Sequence, residues 1–221
     1  MISINLGEDS TNQPLSNNLF CMLRKDILSG KLKSKAKLTE QSICEKYNVS
    51  RTPVREALRQ LETEGLIENI PNRGAFVIGL NNRDISDMFE LRRITEVQAI
   101  EWAILRMKED TIDSSEETFE FMEFYTIKND IEKVLSINTT FHSILYKATG
   151  NKMLEQMLNS YQVYLKHSSP ISTITDDYLT TILAEHKAIF TAVKNRNVAA
   201  GKKAMDYHME QTKLRRMSNY F

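Results

Sequence analysis

The sequence predicts a mainly α fold in two domains: three helices and a β-hairpin first, then an all-α bundle of about six helices. Three observations predict it. Apolar residues recur at helical spacing along most of the 221 residues. Gly (7) and Pro (4) are too scarce for a turn-rich all-β design. The one β-rich stretch, LIENI and AFVIGL joined by Pro71-Asn72-Arg73-Gly74, falls between two helical regions and reads as a hairpin.

Residues 1–13 are polar, lack periodic apolar positions and read as a flexible arm. Pro14 opens a helix through Leu15, Leu19, Met22, Leu23, Ile27 and Leu28, ended by Gly30. The following KLKSKAKL reads as a basic loop. Thr39 is the expected N-cap of a short second helix that turns Ile43 and Tyr47 inward. Asn48-Val49 makes a tight turn, and Ser50 is expected to cap a third helix. Pro53 lies in its first turn, where a missing N–H costs nothing, and the helix runs to about Glu64. Three helices and a hairpin in about 65 residues follow the order of a winged helix-turn-helix, placed at 14–79 with a linker at 80–83. From 84 to 221 the pattern is helical, with breaks at Lys108–Ser115, Lys128–Asp130, Gly150-Asn151, Ser168–Thr175 and Lys194–Val198, and without an internal repeat.

Hydrophobic residues at 41% and charged residues at 26% are ordinary for a soluble globular protein. Cys21 and Cys44 match no metal or redox spacing and fit a reducing compartment. No apolar run approaches the roughly 20 residues of a membrane span, and the first residues lack signal-peptide order, so the expected location is cytoplasmic, away from membranes. Net charge is zero, yet positions 14–80 hold 11 Lys and Arg against 7 Asp and Glu. The basic excess therefore sits in the first third. No Ser-His-Asp order, Gly-rich phosphate loop or HExxH is present, so no enzyme and no organic cofactor are expected. A metal-dependent hydrolase is the alternative, but Glu185 points about 100° away from its neighbour His186 on a helix and is a poor base.

The third helix holds the most specific motif, SRTPVREAL from Ser50 to Leu58. On a helical wheel Val54, Ala57, Leu58 and Leu61 share an apolar stripe, leaving Arg51, Thr52, Arg55 and Arg59 on the adjoining face. Arginines near a helix N-terminus can contact phosphates or the guanine edge in the major groove. The bland alternative pairs Arg51 and Arg55 with Glu56 or Glu62 on a solvated face. SRTPVREALRQLETEGLI, followed by NRGAFV and preceded by ILSGKLKSKAKLTEQSICEKYNVS, resembles the GntR family of bacterial regulators over about Leu15 to Leu80. The resemblance implies operator contacts by Arg51, Thr52 and Arg55, a wing tip at Gly74 with Arg73 beside it, and a polar contact by Gln41. Most relatives carry Gly where this chain has Asn48, a residue that also tolerates a left-handed backbone.

In the second domain, Asn138 and His142 are four apart and share a helix face, while His186 and His208 fall on two later helices. Spacing alone leaves these histidines open between core, surface and metal-binding roles. Phe89 to Glu96, Asn138 to His142, Gly150-Asn151, Glu185 to Ile189 and Met205 to His208 follow one another in the order of the FCD effector domain of the FadR branch. That resemblance implies a divalent metal (Zn, Mn or Ni) on His142, His186 and His208, with Asn138 at the family's Asp position as a possible fourth ligand. It also implies a small carboxylate effector met by Arg92 and Asn138. A neutral amide is a poorer ligand than a carboxylate and does not offset the ion's charge. For Arg92 the alternative is an ion pair with Glu96. Trp102, Phe119, Phe121 and Phe124 are read as core or dimer contacts. The expected function is a regulator, read as a repressor, that binds an inverted-repeat operator as a homodimer under control of an organic acid. The alternatives are a regulator whose second domain is metal-free or only dimerises.

Overall fold

The computed structural model describes residues 14–71, 73–167 and 176–217; the arm expected at 1–13 and the break expected at Ser168–Thr175 lie outside them. The chain divides into two compact units, one ending at Asn81 and one beginning at Asn82.

In the first unit, α1 (Leu15–Leu28), β1 (Lys37–Leu38), α2 (Glu40–Tyr47), α3 (Arg51–Thr63), β2 (Ile67–Ile70) and β3 (Gly74–Val77) follow in order. Leu19, Leu23 and Ile27 of α1, Ile43 and Tyr47 of α2, and Val54, Ala57, Leu58 and Leu61 of α3 are buried together as the apolar spacing requires. Thr39 caps α2, its hydroxyl accepting the Ser42 N–H at 3.1 Å. Ser50 holds the N-cap position of α3, but its side chain makes no capping bond, so that expectation is corrected. Asn48 ends α2 in the left-handed region at φ 52°, which Asn accepts at small cost. A second correction concerns the basic loop. Lys37 and Leu38 form β1, paired antiparallel with Phe76 and Ala75, so the hairpin becomes a three-stranded sheet of order β1-β3-β2. Two residues leave no period for sequence reading to detect; Leu38 is buried and drives the pairing from the inside.

The second unit comprises α4 (Asn82–Arg106), α5 (Glu109–Ile127), α6 (Ile131–Ala148), α7 (Lys152–His167), α8 (Asp176–Lys194) and α9 (Val198–Met217). Helix α4 starts inside the stretch expected as linker, with Asp84 in a first turn where negative charge suits the helix dipole. The break expected at Lys108–Ser115 shrinks to Met107 and Lys108, because Ile112 and Ser115 are buried on α5. Ile100, Ile104, Met122, Phe141, Leu145, Ile189, Val193 and Met205 form one core from five helices. Phe119 is buried, whereas Phe121 and Phe124 are exposed, so only the first of these three belongs to that core. Helix α9 runs close against α4 at Gly201, where an added Cβ would come within 2.5 Å of the Ile104 Cδ1. His208 follows two turns further on along α9. Among the described residues no helix is long and apolar enough to cross a membrane.

Candidate functional site

Four helices of the second unit supply one polar cluster inside the apolar core. His142 of α6, His186 of α8 and His208 of α9 are all buried, and one ring nitrogen from each lies within 4.8 Å of the other two. Each ring is held from behind through Nδ1. His142 Nδ1 meets Glu96 Oε2 at 3.3 Å, His186 Nδ1 meets the Ile182 carbonyl at 2.8 Å, and His208 Nδ1 meets Glu185 Oε2 at 2.7 Å.

These partners decide the tautomers. A carbonyl oxygen only accepts, so His186 must carry its proton on Nδ1 and present a bare lone pair at Nε2. Burial raises the Glu96 carboxyl, but His142 and Arg92 outweigh it and hold the group at about 2. Burial likewise works against charge on Glu185, and His208 and Arg215 overcome it. Both carboxylates are therefore acceptors, for Nδ1–H of His142 and of His208. Burial, reinforced by the neighbouring histidines, pushes His186 well below the usual imidazole range. Burial also lowers His208 to about 4 despite Glu185. Neutral imidazoles are the form that binds metal.

The result is an electrostatic oddity. His142 Nε2 and His186 Nε2 are buried without a hydrogen-bond partner. Unsatisfied buried polar atoms are costly, and clustered lone pairs repel unless a cation sits among them. Three imidazoles, each backed by an acceptor on its other nitrogen, form a donor set that fits a divalent metal such as zinc. Asn138 is half-buried on α6, one turn before His142.

Arg92 is buried and ion-paired with Glu96, its Nε and Nη2 lying 3.0 and 2.9 Å from Oε1. The alternative partner named from the sequence is thus the one the fold provides. Glu96 also accepts from the Tyr146 hydroxyl, which in turn accepts from Gln162 Nε2 at 3.4 Å. Tyr146 and Arg215 escaped sequence reading, although a signal existed. Tyr146 is four residues after His142 and Arg215 seven after His208, spacings that return to the same helix face. Glu185 faces the Nδ1 side of His208 and is committed to Arg215, which leaves it away from the ring nitrogens a base would serve.

In the first unit, α3 exposes Arg51, Thr52, Arg55 and Arg59 as the helical wheel requires. Arg55 Nε donates to Glu40 Oε1 at 2.8 Å, a partner not considered from the sequence, and Arg59 pairs with Glu56 at 2.9 Å. Gln41 is exposed and donates to Glu45. A groove of about 490 Å³ separates α3 from the sheet, with Lys37, Arg55, Arg59, Arg73 and Gly74 along it. Gly74 takes φ +98°, which a side chain rarely adopts. Lys37 and Arg73 both lie over the Phe76 ring.

Comparison with known proteins follows the same two units. Residues 15–77 match the description "Bacterial regulatory proteins, gntR family", and residues 87–211 match the FCD domain. The uncharacterized HTH-type transcriptional regulator YdhC of Bacillus subtilis is 28% identical over 88% of this chain and 88% of its own. The gluconate operon transcriptional repressor of the same organism is 26% identical over 80% of this chain and 74% of its own. Among solved structures, E. coli McbR/YncC superposes with a TM-score of 0.74 at 20% identity, covering 95% of this chain and 100% of that one.

Proposed function

Because the chain belongs to the GntR family of bacterial regulatory proteins and carries an FCD domain, we propose that it is a metal-assisted, effector-controlled transcriptional repressor. In this reading α3 enters the operator major groove, with Arg51, Thr52, Arg55 and Arg59 on phosphates and base edges. Gln41 contributes from α2, and Arg73 and Gly74 place the wing tip in the minor groove. The observation that carries the DNA half is the sidedness of α3. Its apolar stripe is wholly buried while its cationic face is exposed toward the groove that the sheet borders. Two copies of the chain would set two such helices about one DNA turn apart on an inverted repeat.

For sensing, His142, His186 and His208 would hold a divalent ion through Nε2, with Asn138 as a neutral fourth donor. When bound, such an ion supplies an electrophilic centre for an effector carboxylate. The chain's own contribution is to keep the three imidazoles oriented and shielded from water, with burial holding His186 and His208 neutral. Arg92 reaches this centre with its charge largely met by Glu96, so its part in effector binding is shared with that carboxylate. A hydroxy acid suits the site, and the repressor of the gluconate operon among the relatives points the same way. Effector binding would shift the population toward an arrangement that fits the operator poorly.

The test is anisotropy with a duplex selected from a random pool by the wild-type protein. Arg55→Ala should cost about 1–3 kcal/mol of selected-site binding and leave the fold intact by circular dichroism. Unchanged affinity and unchanged salt dependence in that variant would refute the assignment of α3.

A further inference from the structure

We propose that Arg215, in the last turn of α9, is a positioning residue of the histidine centre, acting on His208 through Glu185. The inference rests on the metal reading above and extends it to the C-terminal turn of the bundle.

The geometry is a relay that runs from a half-buried guanidinium to a buried ring. Arg215 Nη1 and Nη2 donate to Glu185 Oε1 and Oε2 at 2.7 and 2.8 Å, a two-bond fork that fixes both the place and the plane of the carboxylate. Oε2 also accepts from His208 Nδ1 at 2.7 Å. The Glu185 side chain is only 3% exposed, so few other donors can reach it. The guanidinium is itself located twice over. It lies over the Tyr178 ring of α8 at 5.6 Å, and Nη2 reaches Thr212 Oγ1 at 3.4 Å. Arg215 and His208 are seven residues apart on one helix and therefore stand on one face, with Glu185 reaching between them from α8.

The consequence is directional. A carboxylate held by two parallel bonds presents one oxygen to Nδ1 and keeps the Nε2 lone pair of His208 aimed at the other two rings. Glu96 is held by Arg92 through Oε1 alone and serves His142 through Oε2. Two of the three histidines thus depend on an arginine-braced carboxylate, whereas His186 leans on the backbone. Without Arg215, Glu185 keeps His208 as its partner but loses the fork that sets its plane, and the ring gains rotational freedom. Partners behind a metal-bound histidine are worth about 10- to 100-fold in metal affinity.

The experiment is titration of zinc, and separately cobalt, into metal-stripped full-length protein. Wild type is expected to take up close to one ion per chain, and Arg215→Ala to bind zinc about 10- to 100-fold more weakly, with an altered cobalt visible spectrum. Arg215→Lys, which restores the charge but only one bond, should fall between them. The melting temperature of each metal-free protein separates this role from simple loss of stability. A positioning residue reduces the zinc-induced rise in melting temperature even where the metal-free values agree. Zinc affinity and cobalt spectrum equal to wild type in Arg215→Ala would overturn the inference alone. No uptake by wild type would overturn the metal reading and this inference with it.

Discussion

At the scale of single residues, the centre of the second unit is defined by which nitrogen of each imidazole is already taken. His142, His186 and His208 all spend Nδ1 on an acceptor, which leaves Nε2 as the donor each can offer. His142→Ala should therefore abolish stoichiometric zinc binding, as read by elemental analysis of the purified protein. Asn138→Asp should tighten it, because a carboxylate offsets charge that an amide cannot. An Asn138→Asp protein with weaker zinc binding than wild type would remove position 138 from the ligand set. Tyr146 gives an independent check on the scaffold. Its hydroxyl donates to Glu96 inside the bundle, so Tyr146→Phe should cost about 1–3 kcal/mol in urea denaturation of metal-free protein. An unchanged midpoint would mean that Arg92 and His142 satisfy Glu96 without the hydroxyl.

At the scale of elements, close packing decides where these side chains meet. Helix α9 lies against α4 because Gly201 has no side chain, and Ile104 and Ile100 fill the space a Cβ would need. Gly201→Ala should cost about 1–3 kcal/mol through overpacking. It should also weaken zinc binding, since the displaced helix carries His208 and Arg215. Stability at wild-type level would show that Ile104 can turn aside. In the first unit, Leu61 on the inner face of α3 is fully buried, and Leu61→Ala should cost about 2–5 kcal/mol while leaving the exposed arginines in place. Its DNA affinity, measured well below its melting temperature, should stay close to that of wild type.

At the scale of the whole molecule, the two units respond to different solution variables. DNA binding through α3 and the wing should fall steeply with salt as phosphate contacts release counterions. Zinc in about 100-fold excess over its dissociation constant should stabilise the second unit by about 2.7 kcal/mol. That is a rise of roughly 5 to 10 °C, reversed by a chelator. No shift on zinc addition would favour a bundle that binds its effector without metal.

What the sequence determined by itself was the periodic part: helix count and type in each unit, the buried stripe of α3 and its exposed arginines, the left-handed turn at Asn48, and the three histidines as candidates. Those features rest on local spacing and backbone preference, which a linear reading can see. It missed β1, because two residues carry no period and gain their structure only from pairing with β3. It drew the break between α4 and α5 too long for a similar reason, since Ile112 and Ser115 are drawn into helix by burial against other elements. Only the tertiary structure decided that Glu96 and Glu185 stand behind His142 and His208, and that Arg92 and Arg215 brace them. Contacts such as Arg215 with Glu185 join residues 30 positions apart on different helices, and their energy comes from desolvated charge meeting at one point in the core. That convergence exists only once the helices have packed.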